Sequence, residues 1–258
     1  PPGAVRDLAD PYGKLGLLLA QRDRPAPARH ALQTAQQLLD QLLERRPDDV
    51  GLQHDLALSH NSLAVVLREG DAPQAAASCR RAVALLEHLV AGPDPQPAHR
   101  ADLALALNNL GTILTRDEQV DEATAAYRRA IEIQDQLVRQ SPAVVSYRRD
   151  LAVSWSNLAE ACAAGGDRDE ALQALDEAER LLTVLVADFP DEISFRGLWG
   201  AVLNNQAAQW EAAGDLSAAL DAYRRGLAQQ RIAFERAPQL LAYRDALSRH
   251  YFNYGRAL

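Results

Sequence analysis

The chain has 258 residues, 48% of them apolar but only 5% aromatic, and carries a net charge of −8. That acidic balance argues against a nucleic-acid surface, which needs a clustered basic face. No apolar run approaches the roughly 20 residues of a membrane span, and nothing resembles a signal peptide. Alanine, leucine, arginine, glutamine and glutamate dominate, residues that lose little side-chain freedom in a helix, and no β-branched run suggests a strand. The composition predicts an all-α fold.

Residues 1–11, with prolines at Pro1, Pro2 and Pro11, read as a linker remnant or frayed lead-in. A short first helix follows from Tyr12 to Ala20, then a turn broken by Pro25 and Pro27, then a second helix from Ala28 to Arg46 stopped by Pro47. The next pair carries Leu63, Ala64 and Leu67 on its first helix and Ala75, Cys79 and Ala82 on its second. Gly92 to Pro97 is the most loop-like internal stretch, but the register resumes at once, so stacking is expected to continue through it. Three cleaner pairs follow, their turns at Asp117-Glu118, Gly165-Gly166-Asp167 and Gly214-Asp215 each giving a helix stop and an acidic helix start. The expected copies are 12–51, 52–98, 99–146, 147–194 and 195–242, with a lone terminal helix at 243–258 and all of 12–258 forming a single array.

Asn109, Asn157, Asn205 and Asn253 mark a step of 48 residues. Leu110, Gly111, Leu114, Ala123, Tyr127 and Ala130 recur at that step as Leu158, Ala159, Cys162, Ala171, Leu175 and Ala178. A unit of this kind cannot bury its apolar face alone, so copies must stack. Small residues recur where helices must cross closely: Ala64, Gly111, Ala159 and Ala207 on first helices, Ala82, Ala130, Ala178 and Gly226 on second helices.

The spacing Leu110-Gly111, Leu114, Ala123, Tyr127, Ala130 resembles the tetratricopeptide repeat, a helix–turn–helix unit, over nearly the whole chain. The resemblance implies a right-handed α-solenoid of such repeats and a non-catalytic protein–protein interaction scaffold. The family's unit has about 34 residues, so the 48-residue step departs from it; the longer helices and the Asn-Asn-Leu-Gly signature resemble kinesin light chain repeats. Tyr147-Arg-Arg-Asp-Leu-Ala152 resembles arrays in large bacterial proteins, where they follow a serine/threonine kinase or β-propeller domain.

No chemical motif stands out. There is no phosphate loop, no His-Glu-x-x-His, no calcium loop and no kinase signature. His54 and His60 are six apart, on different helix faces. Cys79 and Cys162 fall inside predicted helices at unrelated positions and are expected as small core residues. Neither a catalytic group, a cofactor nor a metal is expected, and a reducing, cytoplasmic setting is. The chain starts Pro1-Pro2, lacks methionine, and has Lys14 against 26 arginines, which suggests a piece of a larger protein from a GC-rich bacterial genome.

Two recurrences lack an obvious core role. His99-Arg100, Tyr147-Arg148, Phe195-Arg196 and Tyr243-Arg244 pair an aromatic or histidine with arginine; the aromatic is expected on the preceding copy's last turn and the arginine on an acid. Asparagine is a poor helix former, so its column is a repeated local cost. Structurally, the amides could bridge neighbouring first helices. Functionally, the matching position in tetratricopeptide repeats faces the concave groove, which implies that Asn108, Asn109, Asn157, Asn204, Asn205 and Asn253 bind a peptide backbone. Leu58, Leu105, Val153 and Thr112 beside them leave no basic clamp for an acidic peptide terminus. The partner expected is a protein or peptide, with no nucleic acid and no membrane insertion. A spacer or self-association module, a homo-oligomer, and a regulatory region of an enzyme stay open beside it.

Overall fold

The computed structural model describes residues 2–93 and 95–258, with side chains from Ala9 onward except residue 94. Among these residues there are eleven helices and no strand: α1 (Pro2–Gln21), α2 (Pro25–Leu43), α3 (Val50–Leu67), α4 (Ala72–Ala91), α5 (Pro97–Arg116), α6 (Val120–Gln140), α7 (Val145–Ala164), α8 (Arg168–Asp188), α9 (Ile193–Ala213), α10 (Leu216–Arg236) and α11 (Leu241–Ala257). The odd-numbered helices are the first helices of their copies, the even-numbered ones the second.

Helix starts and stops follow side-chain chemistry. Asp49, Asp71, Asp167 and Asp215 each accept a hydrogen bond from a backbone N–H three residues on, at 2.9–3.1 Å. Each aspartate thereby satisfies a donor that the helix leaves unpaired. Gly166 and Gly214 adopt φ of 84°, closing α7 and α9 in the left-handed conformation. Their register-mate Glu118 sits at φ 59° without being glycine, a strained substitute.

The chain divides into two compact units, Pro1–Ile133 and Gln134–Leu258, and the division falls inside α6. The 48-residue step from Asn109 to Asn253 crosses it without a sign. In the first unit α1 packs on α2, α2 on α3, α3 on α4 and α4 on α5, with further contacts between first helices α1 and α3, and α3 and α5. The loop after α4 is no joint: Leu86 and Leu89 before it share one core with Leu103, Ala104 and Leu107 after it.

Where the sequence suggests a linker remnant or frayed lead-in up to Pro11, α1 begins at Pro2 and runs through that proline. Packing overrides the proline there: Ala9 is buried in a cluster with Leu39, Leu42 and Leu52. Pro1 lies outside the described residues.

In the second unit α7 packs on α8, α8 on α9, α9 on α10 and α10 on α11, and the first helices α7, α9 and α11 touch in series. The small residues sit at the crossings. Ala64, Ala82, Ala130, Ala178 and Ala207 are fully buried, and a Cβ at Gly111 would lie 2.7 Å from the Tyr127 ring. Tyr127 and its register-mate Tyr223 are buried with their hydroxyls satisfied, donating to Thr112 Oγ1 at 3.1 Å and to a Glu211 carboxylate oxygen at 2.9 Å.

The aromatic–arginine pairs tie copy to copy. Phe195 meets Phe189, just past the end of α8, edge to face at 6.2 Å, and Tyr243 lies over Gly197. Arg148 hydrogen-bonds Asp188 at 2.8 Å and lies over the Phe189 ring. Other arginines reach acids one copy away, as in Arg80–Glu122, Arg116–Glu69 and Arg256–Glu211. These pairs are solvent-exposed on at least one side, so each is worth less than about 1 kcal/mol.

Candidate binding site on the first helices

The asparagines do not form one uniform row. Asn109 Nδ2 donates to Asn61 Oδ1 at 3.0 Å, and Asn253 Nδ2 donates to Asn204 Oδ1 at 3.0 Å. Allowing for the one residue missing from the turn after α3, Asn61 and Asn204 are both register-mates of Asn108. Both bonds therefore follow one rule, in which a column asparagine reaches the residue just before the column position in the preceding copy. Each bond clamps two neighbouring first helices, α3 to α5 and α9 to α11. These amides carry out the bridging role, and an amide so engaged is not free to grip a peptide with the same atoms. Asn108 is buried and Asn157 half-buried, and both are engaged with other groups.

Asn205 breaks the rule for a local reason. The residue it would reach is Ser156, where the copies on either side carry Asn108 and Asn204. Its amide makes no side-chain hydrogen bond among the described residues, and it lines a cleft of about 410 Å³ within the second unit. α7, α9 and α11 form the walls of that cleft. Ala159, Ala163, Ala201 and Ala208 make it wide enough for a backbone, while Asn205 and Gln209 supply amides that both donate and accept. Glu160 and Arg249 stand exposed at its rim.

His250 is the least expected group in the cleft. Only 1% of it is exposed, and no protein group hydrogen-bonds either ring nitrogen. Burial, aided by the neighbouring Arg249 charge, pushes its pKa down to about 4, so the ring is neutral at pH 7. A neutral imidazole offers one donor and one acceptor. Sequence reasoning passed over this histidine, although the internal register carries a signal. Its mates Ala106, Ser154 and Val202 are all small or apolar and buried, so a histidine in that column is out of place.

A larger cleft of about 660 Å³ lies between α1, α2 and α3, but its polar groups are already paired. Lys14 binds Asp10 at 2.7 Å, Ser62 donates to the Leu58 carbonyl and Ser59 to that of Leu32. None of the six asparagines lines it. Elsewhere in the first unit, His54 hydrogen-bonds Asp102 at 2.7 Å, which holds its pKa above the ordinary value despite partial burial. Among the described residues no three His, Cys, Asp or Glu side chains converge as metal ligands, and no helix is long and apolar enough to cross a membrane.

Residues 104–137 match the tetratricopeptide repeat family model. That match takes in most of α5 and α6 and leaves the first turns of α5 outside, which is where part of the extra length of each copy lies. No curated protein sequence matches the chain. Solved structures similar to it include the putative kinesin light chain tetratricopeptide-like repeats of Podosopora anserina, at 18% identity over 92% of this chain and 98% of that one, with a TM-score of 0.60. BtubC from P. vanneervenii is similar at 15% identity over 88% and 90% of the two chains, with a TM-score of 0.59. PilF of Pseudomonas aeruginosa is similar at 18% identity over 98% and 93%, with a TM-score of 0.55. One helix hairpin of the chain thus matches the tetratricopeptide repeat itself, and the chain has the all-α fold of such repeat structures, kinesin light chain-like repeats among them.

Proposed function

We propose that the chain is a non-catalytic interaction scaffold that takes an extended peptide segment of a partner protein along its first-helix face, anchored in the cleft of the second unit. The observation that carries this is the Asn205–Gln209–His250 group. These are polar side chains with free hydrogen-bonding capacity, set among alanines where a backbone can approach. An extended peptide presents alternating N–H and C=O groups, which an amide or a neutral imidazole meets with either polarity. Asn61, Asn109, Asn204 and Asn253 act as the frame, fixing the spacing of first helices, and Asn108 and Asn157 stand in the same rows. The cleft holds one rim arginine opposed by one rim glutamate, so recognition does not depend on an acidic peptide terminus.

A displayed library of random peptides, selected on the chain and counter-selected on the Asn205→Ala variant, tests the proposal. Enriched peptides should bind the wild type and lose about three- to tenfold in affinity on Asn205→Ala, the equivalent of one lost hydrogen bond of about 0.5–1.5 kcal/mol. Peptides that bind both proteins equally, or no enrichment at all, would overturn it.

A further inference from the structure

On the reading that the cleft of the second unit takes a peptide, we infer that the peptide is selected by one side-chain carboxamide, of asparagine or glutamine, set between Asn205 and His250. The chain itself shows what a column asparagine takes as its partner. Asn109 donates to Asn61 and Asn253 to Asn204, each at 3.0 Å, so each finds the carboxamide of the preceding copy. Asn205 stands in the same column with Ser156 where that carboxamide would be. A serine hydroxyl ends nearer its backbone than an asparagine amide, and the Asn205 amide makes no side-chain hydrogen bond among the described residues. One carboxamide is missing from the pattern at this place.

The opposite wall of the cleft has a separate shortfall. His250 on α11 is 1% exposed, and neither ring nitrogen has a protein partner. A buried polar group without a hydrogen bond costs stability, and a ligand that supplies the bond recovers it. The ring is neutral at pH 7, so a ligand meets one N–H and one bare nitrogen. Asn205 and His250 line the same cleft, whose walls Ala159, Ala201 and Ala208 keep open to about 410 Å³. A side chain can enter there as well as a backbone.

The two shortfalls together select the chemistry. Asn205 offers a carbonyl oxygen and an N–H side by side, and a carboxamide meets both at once. It then keeps a second donor and a second lone pair, one of which suits His250 in either tautomer. In a trans backbone peptide group the N–H and C=O point opposite ways, so it meets only one of the two Asn205 groups. A carboxylate accepts only, which strands the Asn205 oxygen, and it shares the cleft with Glu160. An ammonium or guanidinium donates only, and shares the cleft with Arg249. Leucine has the size of asparagine and none of its bonds.

The probe is a displayed library of short random segments whose central residue is held as Asn, Gln, Asp, Leu or Ser, with Asn and Gln withheld elsewhere. Selected on the 258-residue chain, the Asn or Gln pool should be enriched about tenfold over the Leu and Asp pools, as for one to two net hydrogen bonds. That preference should vanish on Asn205→Ala and shrink on His250→Leu. Ser156→Asn supplies the missing carboxamide from within the chain, so the preference should fall there too. Ser156 is only half-buried, so circular dichroism of this variant should match the parent and separate a filled site from a lost fold. Pools enriched alike, all dependent on Asn205, would keep the cleft as a peptide site and overturn the carboxamide. An Asp pool ahead of the Asn and Gln pools would give the site to a carboxylate and overturn it as well. So would a preference that survives Asn205→Ala or is untouched by both His250→Leu and Ser156→Asn. No enrichment in any pool would instead overturn the peptide site itself, and this inference with it.

Discussion

The asparagine bridges make the most discriminating prediction, because one chain contains both the paired and the open state of the same column. Asn109→Ala removes a 3.0 Å bond to Asn61, which is 8% exposed and keeps a carbonyl oxygen without its donor. A net hydrogen bond is worth about 0.5–1.5 kcal/mol, and stranding a buried partner adds to the loss. Alanine returns a few tenths of a kcal/mol as the better helix former. The single variant should therefore lose about 1 kcal/mol. Asn61→Ala should lose a similar amount, and the double variant should lose less than the sum by about 1 kcal/mol. Asn205→Ala breaks no bond, so it should be neutral or gain those few tenths. Urea unfolding followed by circular dichroism, with the parent and all four variants at one pH, measures the cycle and the Asn205→Ala comparison. A coupling indistinguishable from zero, or an Asn205→Ala loss equal to that of Asn109→Ala, would refute the division into framing and open amides.

Further variants test the frame around that site. Glu118→Gly should stabilise the chain by up to about 1 kcal/mol in a urea melt, since glycine relieves the φ of 59° that its mates Gly166 and Gly214 hold freely. Ala130→Leu, at a fully buried crossing position, should cost about 1–3 kcal/mol, and a melt matching the parent would show that the crossing is elsewhere. Acid should destabilise both units through His60 and His250, each held neutral with a pKa of about 4 by burial and a nearby arginine. The unfolded chain takes up protons first, so stability is lost as pH falls from about 6.5 to about 4, by up to about 3 kcal/mol per histidine. His54 acts in the opposite sense: its raised pKa gives stability that is present below about pH 6.5 and fades as pH rises through the folded value. Thermal melts of His250→Leu between pH 4 and 7 should show a flatter acid limb than the parent, and an unchanged limb would count against the buried ring.

What the sequence made legible is the part set by periodicity. Leu110, Gly111, Tyr127 and Ala130 name the crossings because small and large apolar residues at fixed spacing admit few packings. The helix starts were visible for the same reason, since an aspartate such as Asp167 or Asp215 has one favourable use at that place. Three things escaped. Pro11 suggested a linker or frayed lead-in because its effect on a helix is local, whereas the burial of Ala9 that offsets it depends on residues such as Leu39, Leu42 and Leu52, far along the chain. Glu118 looked like any acidic turn residue, although its backbone occupies a glycine's conformation. The asparagine column looked uniform until distances showed two amides engaged with a neighbouring column, while Asn205 has a serine, Ser156, at the position where they find an asparagine. That difference lies in the residue one copy earlier, not in the asparagine.

The two cysteines, one in each unit, offer a use unrelated to binding. Cys79 is fully buried and its pKa is pushed up to about 12 by that burial, while Cys162 is 2% exposed. Thiolate is the reactive form, so neither sulfur should react with a mild alkylating reagent until its surroundings open. The chain thus carries a built-in timer in each half, and the labelling rate of each sulfur reports how often that half breathes. Equal rates would mean the halves come apart together; unequal ones would show that one can loosen, and release or admit a partner, while the other stays shut.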